Sequence, residues 1–244
     1  MHHVRPENLI VLDIETAAEN ASFDSMKSEW QELWEEKIIR SLPDGVTAAE
    51  FYPMRAGVMA EFAKIICISI GYFSKEEPLT MRIKSFYGHD EKQLLNDFIT
   101  TINKIEYYNS KWCFAGHNIK EFDIPFICRR LLMNNISLPN YLDFQNMKPW
   151  ETNIIDTFQY WRFGDYKNYT SLKLLANAMN VPPSKDDIDG SMVGELYWVA
   201  DEVQREINLK RIVTYCQKDV VTTGNIILRF KHLPLVDPER IAIV

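Results

Sequence analysis

The sequence predicts an α/β fold: a mixed sheet flanked by helices, with a helical insertion after the first strand. Three observations carry this reading. Short apolar runs, LIVL at 9–12 and IICISIGYF at 65–73, have the length and composition of buried strands. Further strand-like runs then alternate with stretches of helical spacing, the pattern of helices packed on a sheet. Between the first two strands stands an extra segment, 19–60, whose apolar residues recur at helical spacing.

Within that segment, Trp30, Leu33, Trp34 and Ile38 share one helical stripe, and both tryptophans read as helix core. Thr47 and Glu50 form a capping box that opens a second short helix. About 40 residues bury too little surface to stand as a separate domain. After the second strand, LTMRIKSF at 79–86 alternates as a more exposed strand. HDEKQLLNDFITTIN at 89–103 is helical, capped by Asp90 with Gln93 as its capping-box partner. KWCFAGHN at 111–118 is a fourth strand. DIPFICRRLLMN at 123–134 is a helix with Pro125 in its first turn. TNIIDTF at 152–158 is a short strand, and TSLKLLANAMN at 170–180 a helix capped by Thr170 or Ser171. A last long helix runs from about Asp201 to His232, leaving 233–244 as a tail.

The 244 residues suit one domain, and the 46% hydrophobic content supplies a sizeable core. Net charge is −7 and unevenly placed: residues 1–50 carry eleven acidic against four basic residues, while the other 194 hold 23 of each. Such a chain is a poor general nucleic-acid binder by long-range attraction, but a metal-bridged site remains compatible with a polyanion. Cys67, Cys113, Cys128 and Cys216 form no CxxC pair and have no histidine at zinc spacing, so they read as buried or idle thiols in a reducing compartment. The N-terminal apolar run is too short for a signal peptide, and 65–73 is far short of a membrane span. A cytoplasmic protein is the expectation.

Three stretches carry potential chemistry. Asp13 and Glu15 stand two apart at the end of the first strand, so they point the same way. Paired carboxylates on a buried strand repel unless protons or cations intervene, and oxygen-only pairs suit Mg²⁺ or Mn²⁺. A D-x-E at a strand end also occurs by chance. Asp123, in GHNIKEFDIPF, follows a strand and opens a helix, where a lone aspartate reads as a cap. Tyr215 and Asp219, in YCQKDV, are one turn apart on the last helix, on an inward face with Ile212, Thr222 and Ile226. Alone, that pair reads as a core tyrosine beside an ordinary aspartate. The order and structural context of the three together argue for one site.

These segments, DIET at 13–16, NIKEFD at 118–123 and YCQKDV at 215–220, resemble the three motifs of the DEDD superfamily of 3′-to-5′ exonucleases, which have the RNase H-like fold. A tyrosine four before the last aspartate is similar to the tyrosine (DEDDy) subgroup. The spacing of the second motif is closest to the proofreading domain of family B DNA polymerases. EFAKIICISIGYF (61–73) and DIDGSMV (187–193) resemble stand-alone bacterial proteins described as predicted exonucleases related to that domain. The resemblance covers roughly residues 8–232 and implies one exonuclease domain over 1–244, with no polymerase part.

It further implies that Asp13, Glu15, Asp123 and Asp219 hold two divalent ions, Mg²⁺ or Mn²⁺, about 3.5–4 Å apart. Asp13 would bridge both ions, and Tyr215 would orient the attacking water. Thr16 and Asn118 match positions that contact the terminal nucleotide; Phe122 follows the pattern but packs beneath the site. The implied substrate is a single-stranded 3′ end, with DNA favoured over RNA, and the implied products are nucleoside 5′-monophosphates. The alternatives are an exoribonuclease of the RNase D or oligoribonuclease kind, and a catalytically silent nucleic-acid-binding module. A polymerase or repair partner is not specified. The residues after Glu15, Thr-Ala-Ala-Glu-Asn, contain no apolar wedge for separating the last bases. The acidic insertion 19–60 is a candidate for covering the site, binding a partner or excluding duplex.

The remaining candidates are weaker. SKDDIDGS at 184–191 has acidic spacing only loosely like a calcium loop and reads as a structural or substrate-side loop. Trp161-Arg162 and Tyr166-Lys167-Asn168-Tyr169 interleave aromatic and basic residues; both base stacking and a packed surface loop fit them. His117 reads as a hydrogen-bonded structural histidine rather than a general base.

Overall fold

The computed structural model describes residues 4–75, 78–109, 111–145, 147–148, 151–182 and 188–244. The strands are β1 (Leu9–Ala18), β2 (Ala63–Phe73), β3 (Met81–Tyr87), β4 (Cys113–Gly116), β5 (Ile154–Asp156) and β6 (Ile241–Ile243). The helices are α1 (Ser28–Ile38), α2 (Ala48–Arg55), α3 (Glu91–Tyr108), α4 (Asp123–Met133), α5 (Thr157–Trp161), α6 (Leu172–Ala178), α7 (Val193–Tyr197) and α8 (Glu202–Phe230). They build one mixed sheet in the order β5-β4-β1-β2-β3-β6. β1–β2 and β2–β3 are antiparallel; β1–β4, β4–β5 and β3–β6 are parallel.

β1 is central and its two faces are both buried. Ile10, Leu12 and Ile14 pack with α3 and α4 residues such as Phe98, Phe126 and Leu131. Leu9 and Val11 face the other layer, where Val220, Ile227 and Leu228 of α8 cover the sheet. Alternation along a strand therefore turns Asp13 and Glu15 toward α8. β1 runs to Ala18, well past the apolar LIVL, because it pairs with β2 along Ile10–Ala18 through a register shift between Glu15 and Thr16. The polar residues stay in the strand because the backbone ladder, not side-chain hydrophobicity, holds that stretch.

α8 lies close on the sheet because Gly71 leaves room. A Cβ at Gly71 would stand 2.6 Å from Val220 Cγ1, closer than such atoms approach. This contact sets the height of α8 beside Asp219, the residue before Val220.

The insertion forms its own small core of Trp34, Ile38, Phe51, Tyr52 and Phe62, packed on the end of β1 through Ala18. Thr47 and Glu50 make the full capping box. Trp30 departs from expectation: it lies at the surface with its ring edge-on to Phe62 at 5.6 Å, because Trp34 and Ile38 already fill the inner face of α1. The Asp90 cap of α3 forms, but the Gln93 side chain reaches forward to Asp97 rather than back.

The segment 233–244 is not merely a tail. Ile241–Ile243 adds β6 along β3, with Val244 N–H donating to Ile83 O at 2.9 Å. Three residues are too few to signal a strand in the sequence; the unpaired edge of β3 decides it. Among the described residues no helix is long and apolar enough to cross a membrane.

Candidate active site

β1 pairs with β4 only over Leu9–Val11, so its end projects beyond β4. The Ile14 N–H on that side has no strand partner, and it donates to Asp123 Oδ1 at 3.1 Å. Asp123 is thus not the cap that a lone aspartate there would be: it is the first residue of α4, and Phe122 holds the cap position. Asp123 opens α4, on the opposite face of the sheet from α8, yet its carboxylate reaches round to the end of β1.

Asp219 comes from α8 on the other side, with the Tyr215 phenol hydrogen-bonded to its carboxylate. Three elements therefore bring Asp13, Glu15, Asp123 and Asp219 together, and the repulsion among them is visible at Asp13 and Glu15. Burial first, then Glu15, Asp123 and Asp219, hold the Asp13 carboxyl well above the usual range. Glu15 is raised by burial, Asp219, Cys67 and Asp123. Burial pushes Asp123 up to about 7, against hydrogen bonds from its own backbone and that of Ile14. Carboxylates in this state demand protons or cations.

A divalent ion fits the donor set. Asp13 Oδ2 is buried with no hydrogen-bond partner, an acceptor left for something positive. Ligand atoms of Asp13, Glu15 and Cys216 lie within 4.8 Å of one another. The surrounding donors are mainly carboxylate oxygens, which suit Mg²⁺ and Mn²⁺.

Tyr215 is pushed far above the ordinary phenol range by burial and by Asp219, Glu15 and Asp13. It stays a neutral phenol across the working pH range, so it serves as a hydrogen-bonding group and not as a base.

A cleft of about 460 Å³ opens onto these groups, lined by Asp13, Glu15, Phe122, Tyr215 and Asp219 on the carboxylate side. Tyr169, Ser171, Lys173 and Ile188–Gly190 also line it. No described residue of 19–60 lines it. Phe122 lines the cleft, and its ring packs on Phe126 at 5.5 Å. Thr16 is not among the lining residues: its hydroxyl donates to Gly57 O at 2.6 Å and ties β1 to the insertion. Asn118 adopts φ 60°, its backbone N–H bound to Asp156 and its Oδ1 buried without a partner. His117 bonds Thr157 Oγ1 at 3.0 Å and the Thr170 carbonyl at 2.9 Å, and burial keeps it neutral, so it is structural as expected.

The sequence reading missed two supports. Asp156 is buried and accepts from the backbone N–H of Asn118, Lys120, Phe158 and Gln159, holding the loop that leads to Asp123. Its position at the end of the short strand read at 152–158 was the available signal. Cys216 is not idle: its thiol donates to the Asp13 carbonyl at 3.4 Å and packs against Cys67, which pairs with Glu15 across β1–β2. Gln217 also has work, donating to Ser85 Oγ at 2.9 Å. In the acidic loop, Ser184–Asp187 lie outside the described residues; Asp189 caps a local turn through Ser191.

A family model described as "Predicted 3'-5' exonuclease related to the exonuclease domain of PolB" matches residues 58–236. The chain belongs to this family. Asp123, Tyr215 and Asp219 fall inside the match, whereas Asp13 and Glu15 precede it. No curated protein matches the chain. Among solved structures, the family B DNA polymerase from the hyperthermophilic archaeon Pyrobaculum calidifontis is similar at 15% identity and a TM-score of 0.50. The likeness covers 92% of this chain and 25% of the polymerase, so the chain spans about a quarter of that protein's length. At this identity the likeness establishes the fold alone: an RNase H-like sheet of the kind found in a polymerase exonuclease domain.

Proposed function

We propose that this family member is a metal-dependent 3′-to-5′ exonuclease that removes nucleoside 5′-monophosphates from single-stranded 3′ ends. The observation that carries the reading is the convergence of Asp13, Glu15, Asp123 and Asp219 from β1, α4 and α8, with the acidity of Asp13 perturbed by the other three. DNA is the favoured substrate, because the similar solved structure is a DNA polymerase.

Asp13, Glu15, Asp123 and Asp219 would hold two divalent ions, which supply Lewis-acid stabilisation of the charge on the phosphate. The chain's own residues do the rest. Ionised carboxylates become favourable once their charge is offset, so the pocket can accept a polyanion. Tyr215, anchored on Asp219 as a donor, offers its phenol oxygen to the attacking water and fixes its direction. Asn118 does not line the cleft and its Oδ1 is buried, so its contribution here is to the loop before Asp123, through its backbone N–H on Asp156. Phe122 supports the floor of the cleft. Thr16 contributes indirectly in this arrangement, by fixing the strand that carries Glu15.

The test uses 3′-labelled and 5′-labelled single-stranded DNA and RNA with Mg²⁺ or Mn²⁺, beside Asp13→Ala. The expected result is stepwise shortening from the 3′ end that Asp13→Ala abolishes. Intact strands, or equal degradation by the variant, refute the proposal.

A further inference from the structure

The cleft lining also includes an aromatic and a basic side chain, Tyr169 and Lys173, that are not metal ligands. Lys173 is the only lysine or arginine lining it among the described residues, and it lies near enough to Asp189, also of the lining, for their charges to interact. Tyr169 is 65% exposed, so it is not there to fill a core. Its ring is nevertheless supported, 5.1 Å from Phe158 and 6.5 Å from His117. The next residue is fixed through the Thr170 carbonyl, which accepts from His117. An aromatic ring held from behind and open in front is a stacking platform. The stretch after Glu15 offers no apolar side chain for this purpose.

The same segment also borders a second, larger concavity of about 1090 Å³ that runs along α4. Tyr166 lines that groove, three residues before Tyr169 lines the cleft. Arg162 stacks over the Tyr166 ring at 4.2 Å and pairs with Glu121 at 3.4 Å. Lys120 and Arg129 also line the groove, so among the described residues it has three basic side chains against one acidic. A net positive groove is unexpected on a chain of net charge −7. It adjoins the site: Lys120 and Glu121 line the groove, and Phe122, next in the chain, lines the cleft.

We infer that the segment Arg162–Lys173 is a strand-binding wall: Tyr169 stacks on the 3′-terminal base with Lys173 on its phosphate, and Tyr166, Arg162 and Arg129 carry the upstream nucleotides through the groove. The inference rests on the exonuclease reading and adds the path of the strand. Stacking on aromatic rings tolerates any base, which suits an enzyme that shortens strands of arbitrary sequence.

The experiment measures binding of an oligonucleotide of about eight residues, with 2-aminopurine at its 3′ terminus, to Asp13→Ala protein in Ca²⁺. Tyr169→Ala should weaken binding roughly tenfold or more and remove the fluorescence quenching, while Tyr169→Phe keeps both. Arg129→Gln should lower the slope of log affinity against log salt by about 0.7 on this strand, and leave a trinucleotide unaffected. Both side chains are exposed, so thermal melts of the variants should match the parent. The wall is refuted if Tyr169→Ala binds and quenches as its parent does, or if Arg129→Gln keeps the parent slope. Cleavage of the labelled strands by wild-type protein in Mn²⁺ separates the two levels. If wild type does not cut, the exonuclease reading falls; if it cuts but Tyr169→Ala binds normally, only the wall falls.

Discussion

Replacing Asp123 by Asn should stabilise the metal-free protein at neutral and alkaline pH while removing its response to divalent ions. Asp123 is buried, and burial raises its carboxyl from the ordinary 3.8 to about 7. A raised carboxyl stabilises the fold fully below the unfolded value and loses that contribution as pH rises through the folded one. The loss therefore develops between about pH 4 and about pH 7. Each tenfold weakening of the acid corresponds to about 1.36 kcal/mol, so the wild-type penalty above the window reaches about 4 kcal/mol. This is an upper limit, because a proton bound elsewhere in the cluster relieves the others. Asparagine retains an oxygen for the Ile14 N–H and has no charge to bury. Urea unfolding in a chelator should show little difference between the proteins near pH 4 and a gain of up to about 4 kcal/mol for the variant near pH 8. Adding Mn²⁺ should then stabilise wild type by mass action and the variant much less. A variant no more stable than wild type at pH 8, or one that responds equally to Mn²⁺, refutes the account of Asp123 as a carboxylate destabilised by burial and awaiting a cation.

Further outcomes follow from the same geometry. Tyr215→Phe should lower kcat roughly 100-fold, as loss of a positioned hydrogen-bonding group does, while the Mn²⁺-induced shift in melting temperature persists; loss of both together would contradict a water-orienting role. Gly71→Ala should cost about 1–3 kcal/mol, because the new methyl meets Val220 and Met81, and should depress activity by displacing α8 beside Asp219; an unaltered denaturation midpoint would show that α8 adapts freely. Asp156→Ala should cost at least about 3 kcal/mol by stripping the acceptor from the N–H groups of Asn118, Lys120, Phe158 and Gln159. Asp156→Asn should restore part of that stability, and failure of any rescue would place the effect outside these hydrogen bonds.

Strands and helices were legible where local signals were strong. The Ile-rich run at 65–73, the Asp90 cap and the Thr47–Glu50 box each specify their element through neighbours within a few residues. Elements stabilised from a distance were not. β6 exists because β3 has a free edge, and Trp30 is exposed because Trp34 reaches the core first. β1 keeps Asp13 to Ala18 in register because β2 supplies partners along that stretch. None of these reasons lies in the local composition.

The candidate site divides in the same way. Side-chain alternation on a strand places Asp13 beside Glu15, and helical periodicity places Tyr215 one turn from Asp219; both relations hold whatever the rest of the chain does. That Asp123 accepts from the free N–H of Ile14, 109 residues away, instead of capping α4, follows only from β4 ending at Gly116. The anchoring by Asp156, the thiol of Cys216 under Asp13 and the wall of Tyr169 and Lys173 likewise need the folded chain. Local spacing determines which carboxylates share a face. Only the sheet's edge, and the close approach of α8 allowed by Gly71, determines that faces from three elements meet.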